Sequence, residues 1–291
     1  MYILFDIGGT NTRVAGSLDC EVMVAEPVVF ESSDNFEDDI DRLVEEARML
    51  VGGHLVRGIA GGIAGVLDDD KRSLVHSPNK KAWEGKNFVE RLEKEFGAPV
   101  FVENDTANVG LGEAHVGAGK GHDIVAYITV STGVGGARIV DGRIDRARFG
   151  FEPGHQIVNP HCKVCSECVA LPVEDGSCFD MEDLASGTAL EKRTGKKPYE
   201  VEDEEEWHTI ARLLALGLHN TIVHWSPDVV VLGGSMMCGK LGPVVGIDDI
   251  KKHLRETLHI FPEIPEIKKA ELGNFGGLHG AMVRLRQGGV V

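Results

Sequence analysis

The chain has 291 residues, 42% of them apolar and 6% aromatic, a composition that fits ordinary folded cores and excludes fibrous and disordered classes. Its 30 Lys and Arg stand against 46 Asp and Glu, a formal charge of −16, so its surface repels nucleic-acid backbones and anionic lipid. No apolar run approaches the ~20 residues of a membrane helix, and the opening "MYILF" is too short, and uncharged at its front, for a signal peptide.

The first half opens as a meander. "YILFDI" reads as an apolar strand, "GGTN" as a turn, "TRVAGSL" as a returning strand and "EVMVAEPVVF" as a third. In "NFEDDIDRLVEEARMLV", Phe36, Ile40, Leu43, Val44, Ala47 and Val51 recur at helical spacing, with Asp34 or Asn35 as N-cap. A buried strand, "VRGIAGGIAG", then runs into a glycine turn. "NFVERLEKEF" is a short amphipathic helix, and "PVFVEND" a strand ending in polar residues. The second half begins the same way: "DIVAYITVSTGVGGARIVDGRI" is strand, Gly-rich turn and strand, with an Asp141-Gly142 hairpin signal. Two β-hairpins with Gly/Thr tips make a weak internal repeat and predict two related α/β domains facing each other. A long helix ("EEEWHTIARLLALGLHNTIVHW"), a strand ("PDVVVLGGS") and a closing helical stretch ("GNFGGLHGAMVRLRQ") follow. The acidic run before the long helix reads as first-turn carboxylates that complement the helix dipole.

Four stretches carry chemistry. The tips at Gly8-Gly9-Thr10 and Thr132-Gly133-Val134-Gly135-Gly136 leave backbone N–H groups free to approach a polyphosphate, with hydroxyls from Thr10 and Thr132 and a charge from Arg13. Neither matches the Walker or dinucleotide fingerprint, and each alone also reads as a plain tight turn. Gly233-Gly234, at the end of an apolar strand, offers a flat backbone for a planar base. Glu103-Asn104-Asp105 ends a strand where α/β sheets place ligands, and a carboxylate there can take a proton from an attacking hydroxyl; the bland reading is a helix N-cap.

One further cluster stands apart. His155 is followed by Cys162, Cys165 and Cys168 at three-residue intervals, and by Cys178. Four of six cysteines within 17 residues look like a metal site rather than a disulfide framework. Reduced thiols place the chain in the cytoplasm. Cys20 and Cys238 read as packing residues.

Taken in order, these motifs resemble the sugar kinase, actin and heat-shock ATPase superfamily, and more narrowly the ROK family of sugar kinases. The resemblance runs through "DIGGTNTR", "GGIAG", "SPNKKAW", "VENDTANVGLGEAHVGAGKG", "STGVGGARIVDGRI", "EPGH", "ASGTAL" and "LGGS". It implies two ribonuclease-H-like α/β domains with an interdomain cleft. One spans residues 1–117 plus 277–291, and the other 118–276. It implies ATP and Mg²⁺, with Asp6, Gly8, Gly9, Thr10, Asn11, Arg13, Thr132, Gly133, Gly135, Gly233 and Gly234 at the nucleotide. Asp105 becomes the general base, and Gly65, Asn104, Asp105, Glu152, His155 and Glu182 the sugar contacts.

The resemblance also implies a structural zinc held by His155, Cys165, Cys168 and Cys178, with Cys162 as substitute for Cys178 and His161 as a further alternative. A closed N/S₃ tetrahedron shapes a site without entering the chemistry. The cysteine spacing departs from the family's tighter pattern. Arg146, Arg148 and Phe149 stand where the family has small residues, which bears on the pocket. The expected substrate is glucose, with N-acetylmannosamine, N-acetylglucosamine and fructose as alternatives, and the expected assembly a homodimer. A non-catalytic sugar-sensing regulator is the competing class. Against that class, the first phosphate strand is read from Tyr2 onward, so no DNA-binding domain is expected ahead of it, and Asp105 and both hairpins are intact.

Overall fold

A computed structural model describes residues 1–33, 35–159 and 179–291. The described chain divides into two compact units, residues 1–121 with 142–150 and 274–291, and residues 122–141 with 151–273.

In the first unit, β1 (Tyr2–Ile7), β2 (Asn11–Ser17) and β3 (Val28–Glu31) form an antiparallel meander. Helix α1 (Phe36–Val51) leads to β4 (Gly58–Ile63), which pairs parallel with β1. A small hairpin, β5 (Val66–Leu67) and β6 (Leu74–His76), and α2 (Phe88–Phe96) precede β7 (Val100–Asn104), parallel to β4. The sheet order is β3-β2-β1-β4-β7. Helix α3 (Asp105–Val116) follows β7 directly.

The second sheet repeats the plan with β8 (Ile124–Val130), β9 (Val134–Val140) and β10 (Arg143–Ile144). After β11 (Ile157–Asn159) and β12 (Phe179–Asp180) come α4 (Met181–Ala185), α5 (Gly187–Thr194) and α6 (Glu204–Trp225). Strand β13 (Val229–Gly233) pairs parallel with β8; α7 (Ser235–Cys238), α8 (Ile247–Thr257) and β14 (Glu266–Lys269) complete it. The order β10-β9-β8-β13-β14 matches the first sheet strand for strand, so the repeat seen in two hairpin tips extends to both whole sheets. The chain ends in α9 (Gly276–Gln287), which packs on α3, β1 and β4.

Helices α1, α2 and α6 form where the sequence reading places them, whereas α4, α5, α7 and α8 are not read from it. Asn35 caps α1 by accepting the Glu37 N–H, and Ile40, Leu43, Val44, Ala47 and Val51 are buried as the periodicity predicts; Asp39 joins them, which no apolar pattern signals. Asp203 caps α6, and Glu204, Glu205 and Glu206 fill its first turn, where carboxylates favour the helix dipole. The predicted third strand is shorter than "EVMVAEPVVF". Asp19 Oδ1 accepts the N–H groups of Glu21 and Val22, and Ser17 Oγ donates to the Val22 carbonyl. These local bonds coil residues 19–22 away from the ladder, and Pro27 has no N–H to give it.

Helices α3 and α9 meet at glycine. A Cβ on Gly280 would lie 1.8 Å from the Asn108 carbonyl oxygen, a backbone atom that cannot step aside. Gly280→Ala is therefore expected to lower stability by about 1–3 kcal/mol through overpacking, despite the ~1 kcal/mol that alanine adds to a helix. A denaturant midpoint equal to or above wild type would contradict that close approach.

Candidate active site

The first unit gathers one set of the predicted residues. Gly9 and Thr10 are exposed at the tip between β1 and β2, and no acceptor among the described residues takes their N–H groups. The tip is closed by Gly8 N–H donating to the Asn11 carbonyl at 3.0 Å. Asp6, at the end of β1, is only 7% exposed. Arg13 Nη1 donates to Asp6 Oδ2 at 3.1 Å, so the charge assigned to a phosphate from sequence is partly committed to a carboxylate. Burial, and then the neighbouring charge of Asp105, push the Asp6 carboxyl up to about 6, against the pull of Arg13. Gly277, near the start of α9, stands against Asp6: a Cβ there would lie 2.9 Å from its Cγ. Only the "GNFGG" glycines hint at that approach in the sequence.

Asn104 is the N-cap of α3. Its Oδ1 accepts the Ala107 N–H at 3.1 Å, and its amide donates to the Gly65 carbonyl at 3.1 Å. The capping role and the predicted ligand role thus fall on one side chain, which keeps one amide hydrogen for a partner. Gly65 itself has φ +132°, and its Cβ would lie 2.7 Å from the His76 carbonyl, so this turn needs glycine. Asp105 is the first residue of α3, and its Oδ1 accepts the Thr106 N–H at 2.8 Å. Part of its surface stays open to solvent, yet the surrounding protein atoms desolvate the carboxyl and raise its pKa.

The second unit gathers the rest. Thr132 is exposed at the tip between β8 and β9, where Ser131 N–H donates to the Gly133 carbonyl at 2.8 Å. Glu182, in α4, reaches that tip: its Oε2 accepts the Val134 N–H at 2.8 Å. A predicted sugar ligand therefore also holds the second hairpin in shape. Glu182→Gln keeps an acceptor for this buried N–H and is expected to be near neutral in stability, whereas Glu182→Leu should cost about 1–3 kcal/mol. Equal melting temperatures for the two variants would contradict this role.

Glu152 and His155 flank Pro153 and Gly154 in a single 3₁₀ turn. His155 Nδ1 bonds Asp180 Oδ2 at 2.8 Å, and this contact, helped by Glu182 and Glu152 nearby, raises the imidazole pKa. Asp180, which no sequence motif marked, is the N-cap of α4. Gly234 closes the strand end after β13 with φ +88°, its Cβ direction blocked by the Val130 carbonyl at 2.3 Å. Cys165, Cys168, Cys178, Cys162 and His161 lie outside the described residues. Among the described residues no group of three or more His, Cys, Asp and Glu is placed to hold a metal ion. No helix among them is long and apolar enough to cross a membrane.

A sequence profile of the ROK family matches residues 2–287. The chain belongs to the ROK family. The crystal structure of a ROK hexokinase from Thermus thermophilus superposes with a TM-score of 0.79 at 27% identity, covering 97% of each chain. A ROK family glucokinase from Streptomyces griseus, solved with glucose and AMPPNP, gives a TM-score of 0.78 at 28% identity over 98% of this chain and 99% of its own. A fructokinase from Pediococcus pentosaceus is 29% identical over 74% of each chain. These ROK structures share the two-domain, actin-like ATPase architecture read from the repeated hairpins.

Proposed function

We propose that this ROK protein is an ATP-dependent sugar kinase with glucose as its leading substrate, and fructose, N-acetylmannosamine and N-acetylglucosamine as alternatives. The observation that carries the reading is Asp105. One of its oxygens is fixed by the Thr106 N–H at 2.8 Å, the residue is only partly buried, and desolvation by the surrounding protein raises the carboxyl's pKa. Such a group can accept a proton from a hydroxyl at near-neutral pH. Support comes from the Streptomyces griseus relative, 28% identical across nearly the whole chain and solved with glucose and AMPPNP.

In the proposed reaction Asp105 orients a sugar hydroxyl and takes its proton as that oxygen bonds to the γ-phosphorus and the bond to ADP breaks. Asn104 and Gly65 hold a neighbouring hydroxyl, Glu152 and Glu182 supply further acceptors for the sugar ring, and the His155 ring bounds the sugar pocket without donating to it. The tips around Gly8, Gly9, Thr10 and Asn11, with Arg13, and around Thr132, Gly133 and Gly135, present N–H groups to phosphate oxygens. Gly233 and Gly234 flank the adenosine.

The residues fit Mg²⁺. Asp6 is a hard carboxylate ligand whose charge already sits uneasily beside Asp105, and a divalent cation relieves that repulsion. When bound, Mg²⁺ neutralises charge on the phosphates.

His155 fits zinc through its outer partner. With Nδ1 on Asp180, Nε2 is the nitrogen left for a metal, the arrangement of a histidine oriented by a carboxylate. In this proposal zinc joins His155 to Cys165, Cys168 and Cys178, with Cys162 in reserve. Removal by chelator is then expected to lower the melting temperature and to raise the sugar KM more than the ATP KM. Metal analysis showing no zinc in protein purified without chelator would contradict it. The proposal includes a homodimer, which light scattering checks.

The functional reading is tested by ADP release from ATP and Mg²⁺ across hexoses and N-acetylhexosamines. Turnover with one or a few sugars supports it and ranks the substrates; ADP release that no sugar stimulates would sink it.

A further inference from the structure

The loop after β6 contains a lysine, Lys80, with 0% of its surface exposed. Its ammonium donates to the Ser33 carbonyl and to Asp39 Oδ2, each at 2.7 Å, and Asp39 is 5% exposed. The second Asp39 oxygen, Oδ1, accepts the Ser33 N–H at 2.7 Å. One buried ion pair therefore grips Ser33 at both its N–H and its C=O. Trp83 walls the pair, its ring centre 6.0 Å from Lys80 Nζ. Taking two charges out of water is costly, and an apolar pair of similar volume serves packing equally well. The pair therefore calls for an account beyond core filling.

Its neighbours supply one. Ser32, adjacent to the gripped Ser33, donates its N–H to the Thr10 carbonyl at 2.9 Å and its hydroxyl to the Gly8 carbonyl at 3.1 Å. The same hydroxyl shares a hydrogen bond with Thr12 Oγ1 at 2.8 Å. From the other end, Asn79, adjacent to Lys80, lies against Gly9: a Cβ on that glycine would be 3.0 Å from Asn79 Cβ. Two residues back, Ser77 Oγ donates to the Ala64 carbonyl at 2.9 Å, beside Gly65. Both ends of the ion pair thus lead, one residue on, to the Gly8–Thr10 tip.

We propose that Lys80 and Asp39 are positioning residues, a buried strut that holds the Gly8–Thr10 tip in its phosphate-binding shape through Ser32 and Asn79. The inference rests on the reading of that tip as an ATP site. A glycine-rich turn left loose must be ordered when phosphate binds, and ordering it beforehand removes that cost. Neither residue of the pair touches substrate; each acts through the backbone or side chain beside it.

The test uses the full-length protein with two variants. Asp39→Leu/Lys80→Met removes the strut and leaves no unpaired buried charge, while Ser32→Ala removes the hydroxyl's hold on the Gly8 carbonyl and leaves the pair and the backbone bond to Thr10 intact. Amide exchange without nucleotide is read at Gly8 and Ser32, which bond across the tip, and at β4 as reference. Expected in both variants are exchange at Gly8 and at position 32 faster by about tenfold or more, and an ATP KM higher by about 10- to 100-fold. The sugar Kd without ATP should stay within about twofold, and β4 should exchange as in wild type. Unchanged tip exchange and ATP KM would overturn the strut, as would a parallel loss of sugar affinity, ATP affinity and β4 protection. A wild-type protein that phosphorylates no sugar would sink the kinase reading alone, since exchange at the tip still decides the strut.

Discussion

Asp105→Asn is expected to lower kcat about 10²- to 10⁴-fold, the usual worth of a general base, while sugar and ATP still bind within a few fold of wild type. The substitution is conservative in structure. The asparagine oxygen can still accept the Thr106 N–H at the start of α3, and the cap of that helix belongs to Asn104. What the variant loses is the capacity to take a proton. Its folding stability should hold or rise, because burial already disfavours the ionised form of this carboxyl. In the wild type the acid limb of kcat/KM should have its midpoint above the ordinary carboxylate range, since the base works only when ionised. Sugar titration by calorimetry and steady-state rates across pH check the three statements. A variant with wild-type kcat would remove Asp105 from the chemistry.

Asp6→Asn should separate activity from stability more sharply. The Asp6 carboxyl is raised from 3.8 to about 6, so the fold holds the protonated form more readily than the unfolded chain does. The penalty for keeping it ionised is fully present above about pH 6 and fades as the pH falls toward 3.8. A displacement of this size corresponds to at most about 3 kcal/mol, and loss of the Arg13 partner subtracts from it, so a gain of about 1–3 kcal/mol is expected near pH 8. The gain should vanish near pH 4. The same variant removes the proposed Mg²⁺ ligand and is expected to lose about 10²-fold or more in kcat. Denaturant midpoints at the two pH values, beside assays at varied Mg²⁺, provide the check. A variant less stable than wild type at high pH would show that the Asp6–Arg13 contact outweighs desolvation.

The sequence made the fold legible because its signals are local and repeated. The apolar stripe of α1, the acidic start of α6 and the Gly/Thr tips needed no tertiary context, and two hairpins of one kind predicted two related α/β domains, whereas the shared strand order emerged only from the structure. The misreading of "EVMVAEPVVF" arose where side-chain bonds of Ser17 and Asp19 beat strand propensity. The site was legible in residue types and not in partnerships. That Glu182 steadies the second tip, that Asp180 orients His155, and that Asp39 and Lys80 pair out of water depend on contacts between residues 25 or more apart in sequence. No spacing rule encodes such contacts. The long-range approach of Gly277 to Asp6 belongs to the same class.

The most direct measurement follows the phosphoryl group itself: ATP labelled at the γ-phosphate, incubated with Mg²⁺ and each sugar, with Asp105→Asn alongside. Label is expected on a sugar hydroxyl with wild type, glucose foremost, and at most about one-hundredth of that rate with the variant. Label released only as inorganic phosphate, or transfer that survives the substitution undiminished, would contradict it.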